Sequence, residues 1–506
     1  MKKNLRYLLI MLAVLVVLGG GAAVLLLTQP VETEEESSSS SSVVTETVID
    51  RADSEVASIR VKNPTTEFLL LPLEQETATS EESSEESSST STSVQFTIDG
   101  YQGFDLDTAE VTGAADTVVS IVASKNLGEQ EDLEQFGLTG ENATEVSVNY
   151  TDGSTDEFVV GNTAGESSGR YLLKDGVVYI SASFSGALLG TPLDFIQTEI
   201  YSVPDRVEET VDSEGSSSQT TLTDILYHME LSGTHLEQPI VIDYDESKIS
   251  TYLISEPVVA ESGTNQFSEI VTALKSLTAD SVVATGRTQE TLEEYGLAEP
   301  YAKITFDMNG EDHTLAVSDT NADGDRYLLA DDKDVVYVVS ADTVASWAEA
   351  ELMDLRMSYV WLPNINDVST MTMTVNGETA YQFNVTRTVN EEKSTEESTS
   401  YDLTVTTVDG DTVDYENYQD LYQAALSLAV LSTDQAEYDS NTVSLEIRYE
   451  YFDGSDPDVI TYCAVNGQEQ RCAALLNGSY SGLVRRSDVE TLTEKLEKVY
   501  QNQAIE

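Results

Sequence analysis

The chain is poor in the residues from which active sites are usually assembled. It has three histidines, two cysteines and two tryptophans in 506 residues. None of His228, His235 and His313 stands in a metal-ligand spacing such as His-Glu-x-x-His. His313, just past Asn309-Gly310, reads as an exposed strand residue. No Gly-x-Ser-x-Gly elbow, Walker loop or dinucleotide fingerprint is expected. Nucleotide-dependent and hydrolytic chemistry thus have no anchor, and the chain reads as a non-enzyme without a resident cofactor. Basic residues are also scarce, 25 against 91 acidic ones. That balance makes nucleic acid a poor partner, because the body of the protein repels polyanions. The two cysteines, Cys463 and Cys472, are too few for a disulfide scaffold. They flank "AVNGQEQR". A four-residue loop at Asn466 to Glu469 would set Cys463 opposite Cys472, a candidate cross-strand disulfide. The alternative is two unpaired thiols on adjacent strands.

What the chain does have begins with Leu8 to Leu27, twenty residues without a charge, preceded by Lys2, Lys3 and Arg6. At about 1.5 Å per residue this stretch spans a hydrocarbon core of about 30 Å. It is longer than a signal-peptide core and reads as an uncleaved anchor in the bilayer. Basic residues before the span and acidic ones after it put the N-terminus in the cytoplasm and nearly everything else outside the cell membrane. No cysteine lies near this segment to support a lipoprotein anchor.

Beyond the span the sequence repeats itself. "LEQFGL" at Leu133 to Leu138 returns as "LEEYGL" at Leu292 to Leu297. Each hexad is followed by period-two alternation, Val146, Val148 and Tyr150 in one copy and Ile304, Phe306 and Met308 in the other. The alternation ends at Asp152-Gly153 or Asn309-Gly310, which is a strong hairpin signal. Two more strands follow from Arg170-Tyr171 and from Arg326-Tyr327. A third copy alternates at Val443, Leu445, Ile447 and Tyr449 before Asp453-Gly454, with Arg471-Cys472 in the place of Arg-Tyr. Helices are expected upstream of each copy, in "TVVSIVASKNL", "FSEIVTALKSL" and "YQDLYQAALSLAVL". The hexad itself reads as a structural corner. Gly137 and Gly296 end a helical turn in the left-handed region, and Phe136 with Leu138, or Tyr295 with Leu297, packs on the sheet.

The best candidate for ligand chemistry is "DTNADGD", which follows the opening of a calcium loop. Asp319, Asn321, Asp323 and the carbonyl of Asp325 are its candidate metal ligands. The twelfth position is Ala330 where an EF-hand needs glutamate, and module one makes the same connection as "GNTAGESSG" without the carboxylates. Trp347 reads as core, and Trp361 as an interface residue between modules two and three.

These pieces predict an α+β protein: an N-terminal transmembrane helix followed by three related tandem modules of mainly antiparallel sheet with packed helices. The boundaries run as a cytoplasmic stub at 1–7, the transmembrane helix at 8–27, a Glu/Ser-rich stalk at 28–52 and module one at 53–205. A linker at 206–221, module two at 222–362, module three at 363–500 and a tail at 501–506 follow. The low-complexity stretches Glu74 to Ser93 and Asn390 to Ser400 interrupt corresponding strand pairs of modules one and three.

The span, the acidic exterior, "LEEYGLAEP", "ITFDMNGEDHTLAV" and "RYLLADDKDVVYVV" together resemble the bacterial family called Domain of Unknown Function 4340. The resemblance is closest in module two and weakest in module three. It implies a single-span extracytoplasmic protein of the kind found beside permeases or auxiliary subunits of ATP-driven exporters, and it brings no catalytic residues. The functional expectation is a membrane-anchored accessory or scaffold protein of a membrane complex. The alternative is a cell-envelope binding protein for calcium or glycan.

Overall fold

The computed structural model describes residues 45–73, 94–165, 169–211, 217–248, 250–331, 333–395 and 399–505. The expected span at Leu8 to Leu27, most of the stalk and the Glu74 to Ser93 stretch lie outside them. Among the described residues no helix is long and apolar enough to cross a membrane. The fold is mainly antiparallel sheet with helices laid against it.

Module two shows the plan. Leu226–Ser232, Ile240–Tyr244, Tyr252–Glu256 and Ala260–Ser262 meander to one edge of a nine-stranded sheet. The chain then turns through the helix Asn265–Ala273 and lays Ser281–Thr285 at the opposite edge. Ala302–Met308, Glu311–Val317, Asp325–Ala330 and Val335–Ser340 fill the gap between, in that order. Alternation is what makes these residues strands. Ile304, Phe306 and Met308 are all fully buried on one face, each burial contributing about 1.5–3 kcal/mol.

Module three repeats the plan strand for strand. Val368–Val375, Thr379–Val389, Tyr401–Thr407 and Thr412–Val413 lead to the helix Tyr415–Leu426. The edge strand Val430–Ser432 follows, and Tyr438–Tyr451, Asp458–Val465, Arg471–Leu476 and Ser479–Arg485 complete the sheet. The divergent third copy is therefore a true repeat.

The described residues group into two compact bodies, and module one contributes to both. In the smaller, the strands stand in the order Glu46–Asp50, Ser120–Glu129, Val177–Ser181, Arg170–Lys174 and then the part of Thr155–Thr163 from Phe158 onward. In the larger, Thr144–Tyr150, Val56–Lys62, Glu67–Pro72 and Phe96–Ile98 stand side by side, and modules two and three belong to the same body.

The hexads form the expected corners. Glu134–Phe136 is one helical turn closed by Gly137 at φ 66°, with Leu138 2% exposed and Phe136 against Tyr171, ring centroids 4.7 Å apart. Gln289–Glu294 is followed by Gly296 at φ 67°, with Tyr295 4.8 Å from Tyr327. Each aromatic thus packs on the tyrosine of its own Arg-Tyr pair. A Cβ at Gly137 would come within 2.6 Å of the Asn162 side chain, whereas at Gly296 the nearest contact is Ser318 Cβ at 3.6 Å. Gly296→Ala is expected to lose about 1–2 kcal/mol, the left-handed penalty alone. Gly137→Ala should lose more, and equal urea midpoints for the two variants would refute the packing argument.

Several expectations are corrected. "TVVSIVASKNL" is not a helix: Thr108–Val119 ends inside it and Ser120–Glu129 is a strand, its buried Ile121 and Ala123 alternating. β-branched Val118, Val119, Ile121 and Val122 favour that change. The helix of "FSEIVTALKSL" stops at Ala273, and Ser276–Thr278 pairs instead with Glu199–Ser202. Through this pairing Ile196, Ile200, Tyr201 and Val203, assigned to module one by sequence, join the core of module two. The linker at 206–221 includes an antiparallel pair, Val207–Val211 with Ser217–Thr221.

The disulfide is not formed, and both cysteines are free and buried. The connection between Asp458–Val465 and Arg471–Leu476 has five residues rather than four, so Cys463 faces Ala473 and Cys472 faces Ala464. A shift of one residue sends the side chains to opposite faces. Cys472 enters the main core of module three, and Cys463 a smaller cluster with Val465, Leu475 and Leu483. Burial raises both thiols above the ordinary range.

Candidate functional site at the joint of modules two and three

Modules two and three meet at Arg356, which is 2% exposed. Its guanidinium donates to three carbonyls: Met357 at 3.0 Å, Tyr359 at 2.9 Å, and Ser481 on the far side of the joint. Among the described residues no carboxylate pairs with it, and burial lowers its pKa to about 10. Glu261, 1% exposed, lies in the same region. It accepts from Ser250 N at 3.2 Å and Ser250 Oγ at 2.8 Å, and Tyr359 donates to it. Burial, followed by the neighbouring Glu261 carboxylate, holds the Tyr359 phenol well above its usual range.

Beside this joint opens a cleft of 450 Å³. Glu261, Asp367, Asp453, Asp456 and Asp458 line it, together with Lys248, Trp361 and Tyr451. Asp458 organises one wall, its Oδ2 accepting from Trp361 Nε1 at 2.9 Å and Tyr451 Oη at 2.5 Å, its Oδ1 from Asn477 Nδ2 at 2.9 Å. Lys248 comes from the short loop between Ile240–Tyr244 and Tyr252–Glu256, and its Nζ sits 4.8 Å from the centre of the Trp361 ring. The equivalent loops of modules one and three hold the low-complexity stretches.

Chemically the cleft suits a cation or a hydroxyl-rich ligand, because carboxylates outnumber the one ammonium. Trp361 is only 6% exposed and lies beneath Lys248, so stacking on the indole requires Lys248 to swing away. Trp361 was legible as a junction residue. Arg356 and Glu261 were not, although a glutamate inside the apolar run "PVVAESG" is a signal that periodicity alone passes over.

The other sequence candidates lie elsewhere. Trp347 is 2% exposed in the core of module two. His313 is not an exposed strand residue: it stacks on Tyr201 at 4.2 Å, with Nδ1 3.0 Å from Asp331 Oδ2, because the strand from module one covers it. Asp319 to Asp325 connect Glu311–Val317 to Asp325–Ala330. There Asn321 Oδ1 accepts the backbone N–H of Asp323 at 2.9 Å and of Asp325 at 3.0 Å, and Asn321 N donates to the Asp325 carbonyl at 2.7 Å. Two of the candidate calcium oxygens thus close the loop on itself. Among the described residues no group of three acidic, histidine or cysteine side chains is arranged to hold a metal ion. The expected absence of Gly-x-Ser-x-Gly is corrected, since Gly165 to Gly169 has that spelling. It connects two strands, Thr155–Thr163 and Arg170–Lys174, rather than a strand to a helix as a nucleophile elbow does.

The paired corners and the repeated crossover plan find their counterpart in one family model, Domain of unknown function (DUF4340), which matches residues 97–256 and again 253–441. The chain belongs to this family. Each DUF4340 match begins at the third strand of a module's meander, Phe96–Ile98 in one and Tyr252–Glu256 in the other, and continues into the next module. The family unit is therefore offset from the sheet. No curated protein and no solved structure matches the chain.

Proposed function

We propose that the protein is a membrane-anchored extracytoplasmic accessory or scaffold subunit of a membrane complex, with an ATP-driven exporter as the candidate partner and no catalysis of its own. The observation that carries this reading is the joint, where one buried arginine, Arg356, donates to carbonyls on both sides and so holds module two to module three. Leu8 to Leu27 would tether the joined modules to the bilayer, and the Glu/Ser stalk would give them reach. Tandem domains on such a stalk favour multivalent contact with a neighbouring complex.

The test is crosslinking in intact cells, followed by affinity purification of the full chain. A permease or auxiliary subunit should come with it, and should be lost when Leu8 to Leu27 is replaced by a cleavable signal. The carboxylate-lined cleft favours a second reading, an envelope binding protein for calcium or glycan. Recovery with wall polymer and no membrane subunit would reject the scaffold and favour that reading.

A further inference from the structure

Thirteen arginines occur in the chain, and three of them, Arg471, Arg485 and Arg486, line one cavity of 620 Å³ in module three. Among the described residues none of the three forms an ion pair, although Glu469 and Glu490 line the same cavity. Several cations elsewhere in this acidic chain do pair, Arg60 with Glu67, Lys275 with Asp224, Arg326 with Glu349 and Arg448 with Glu450, and others, such as Arg287 and Arg356, donate to carbonyls instead.

The repeat shows what has changed. Arg170 and Arg326 hold the equivalent position in modules one and two, and each donates to a carbonyl of the preceding segment, Gly161 at 3.2 Å and Ser318 at 2.8 Å. The Arg471 side chain makes no hydrogen bond among the described residues, so it is free of that structural task. It stands instead directly across the sheet from Arg485, and facing like charges destabilise a strand pair. Arg485 is also the N-cap of the helix Arg486–Tyr500, without a side-chain cap bond. Module two has Ser340 and Ala341 there, with Asp342 next. Arg486 in the first turn opposes the helix dipole, and Asp488 in the same turn offsets only part of that. The Arg486 Nε is buried with no acceptor.

We propose that this cavity is a binding site for a phosphate-bearing ligand, held by the guanidinium groups of Arg471, Arg485 and Arg486. One polyvalent oxyanion relieves the facing arginines and the arginine doublet at the helix start together. Guanidinium forks match phosphate oxygens in pairs. Two carboxylates already line the cavity without pairing to them, which points to a denser anion than a carboxylate. The cavity lies within the range of about 300–1,000 Å³ typical of small-molecule sites, so the phosphate is one group of a larger molecule. This inference does not depend on the scaffold reading.

The experiment is thermal unfolding of the full chain in inorganic phosphate, in a soluble short-chain phosphatidylglycerol, and in chloride of matched ionic strength. Tm should rise with the logarithm of ligand concentration for phosphate, for the lipid, or for both, and not for chloride. The first pattern identifies a free or terminal phosphate, the second a phosphodiester headgroup. In Arg471→Gln with Arg485→Gln the shift should vanish, while the ligand-free Tm stays level or rises because the like-charge facing is gone. No shift with either phosphate compound, or an equal shift in chloride or in the variant, overturns the site.

Discussion

Raised through pH 10 and beyond, modules two and three are expected to unfold in one cooperative step, with most of their buried tyrosines ionising only as the fold is lost. Tyr201, Tyr337, Tyr418, Tyr422, Tyr449 and Tyr462 are each at most 8% exposed. Burial is the first cause of a raised pKa at every one, Tyr337 reaching about 12 and the others lying higher. A phenol held more tightly protonated in the fold stabilises it fully below the unfolded value, near 10. That contribution is lost as pH climbs towards the folded value. Each such group tilts stability by about 1.4 kcal/mol per pH unit, so six tilt it by about 8 kcal/mol. Arg356, lowered to about 10, tilts it the other way, but it is one group against six. Since domains are stable by about 5–15 kcal/mol, one to two units above pH 10 should suffice. Absorbance at 295 nm should show an early step from exposed phenols and a late step coincident with the loss of circular dichroism. A single step near pH 10 with the fold intact would refute it.

Arg356→Ala should be the most damaging single substitution at the joint, at about 3 kcal/mol. Three carbonyls, of Met357, Tyr359 and Ser481, lose a donor, and a buried acceptor without one costs about 1–3 kcal/mol. Part of this is returned, because the depressed pKa of Arg356 means that its charge is itself buried at a cost of about 3 kcal/mol. Arg356→Lys should recover part of the loss, since an ammonium can donate to some of the carbonyls. Urea unfolding followed by Trp347 in module two and Trp361 at the joint should be one transition in the wild type and two in Arg356→Ala. A variant that unfolds at the wild-type midpoint would show that the modules are held by other contacts.

Much of the fold was legible because antiparallel strands announce themselves by alternation and Asp-Gly or Asn-Gly turns. Ile304, Phe306 and Met308 are a clear case, and so is the glycine corner at Phe136 to Leu138. Two causes account for the errors: pairing partners distant in sequence, and the exact length of a hairpin loop. Nothing local says that Glu199–Ser202 will pair with Ser276–Thr278 and cover His313, and composition does not tell a four-residue loop from the five-residue one that turns Cys463 away from Cys472. The candidate site was less legible, because a buried charge is identified by what surrounds it. Arg356 and Glu261 look like surface residues until the joint closes over them. The doublet Arg485-Arg486 carries no motif in the sequence, and only the register that sets Arg471 opposite gives it meaning.

The crossover in modules two and three governs timing as well as shape. Ser281–Thr285 and Val430–Ser432 are made early and placed at the far edge, where the neighbour each needs is the last strand of its module. As the chain emerges from N- to C-terminus, each of these strands must wait, unpaired, until its module is complete. Such non-local pairing slows folding and leaves strand edges open to other chains. Dense negative charge keeps half-made copies apart during that wait. The acidity that looks like a property of the finished surface thus also protects the protein while it is being made.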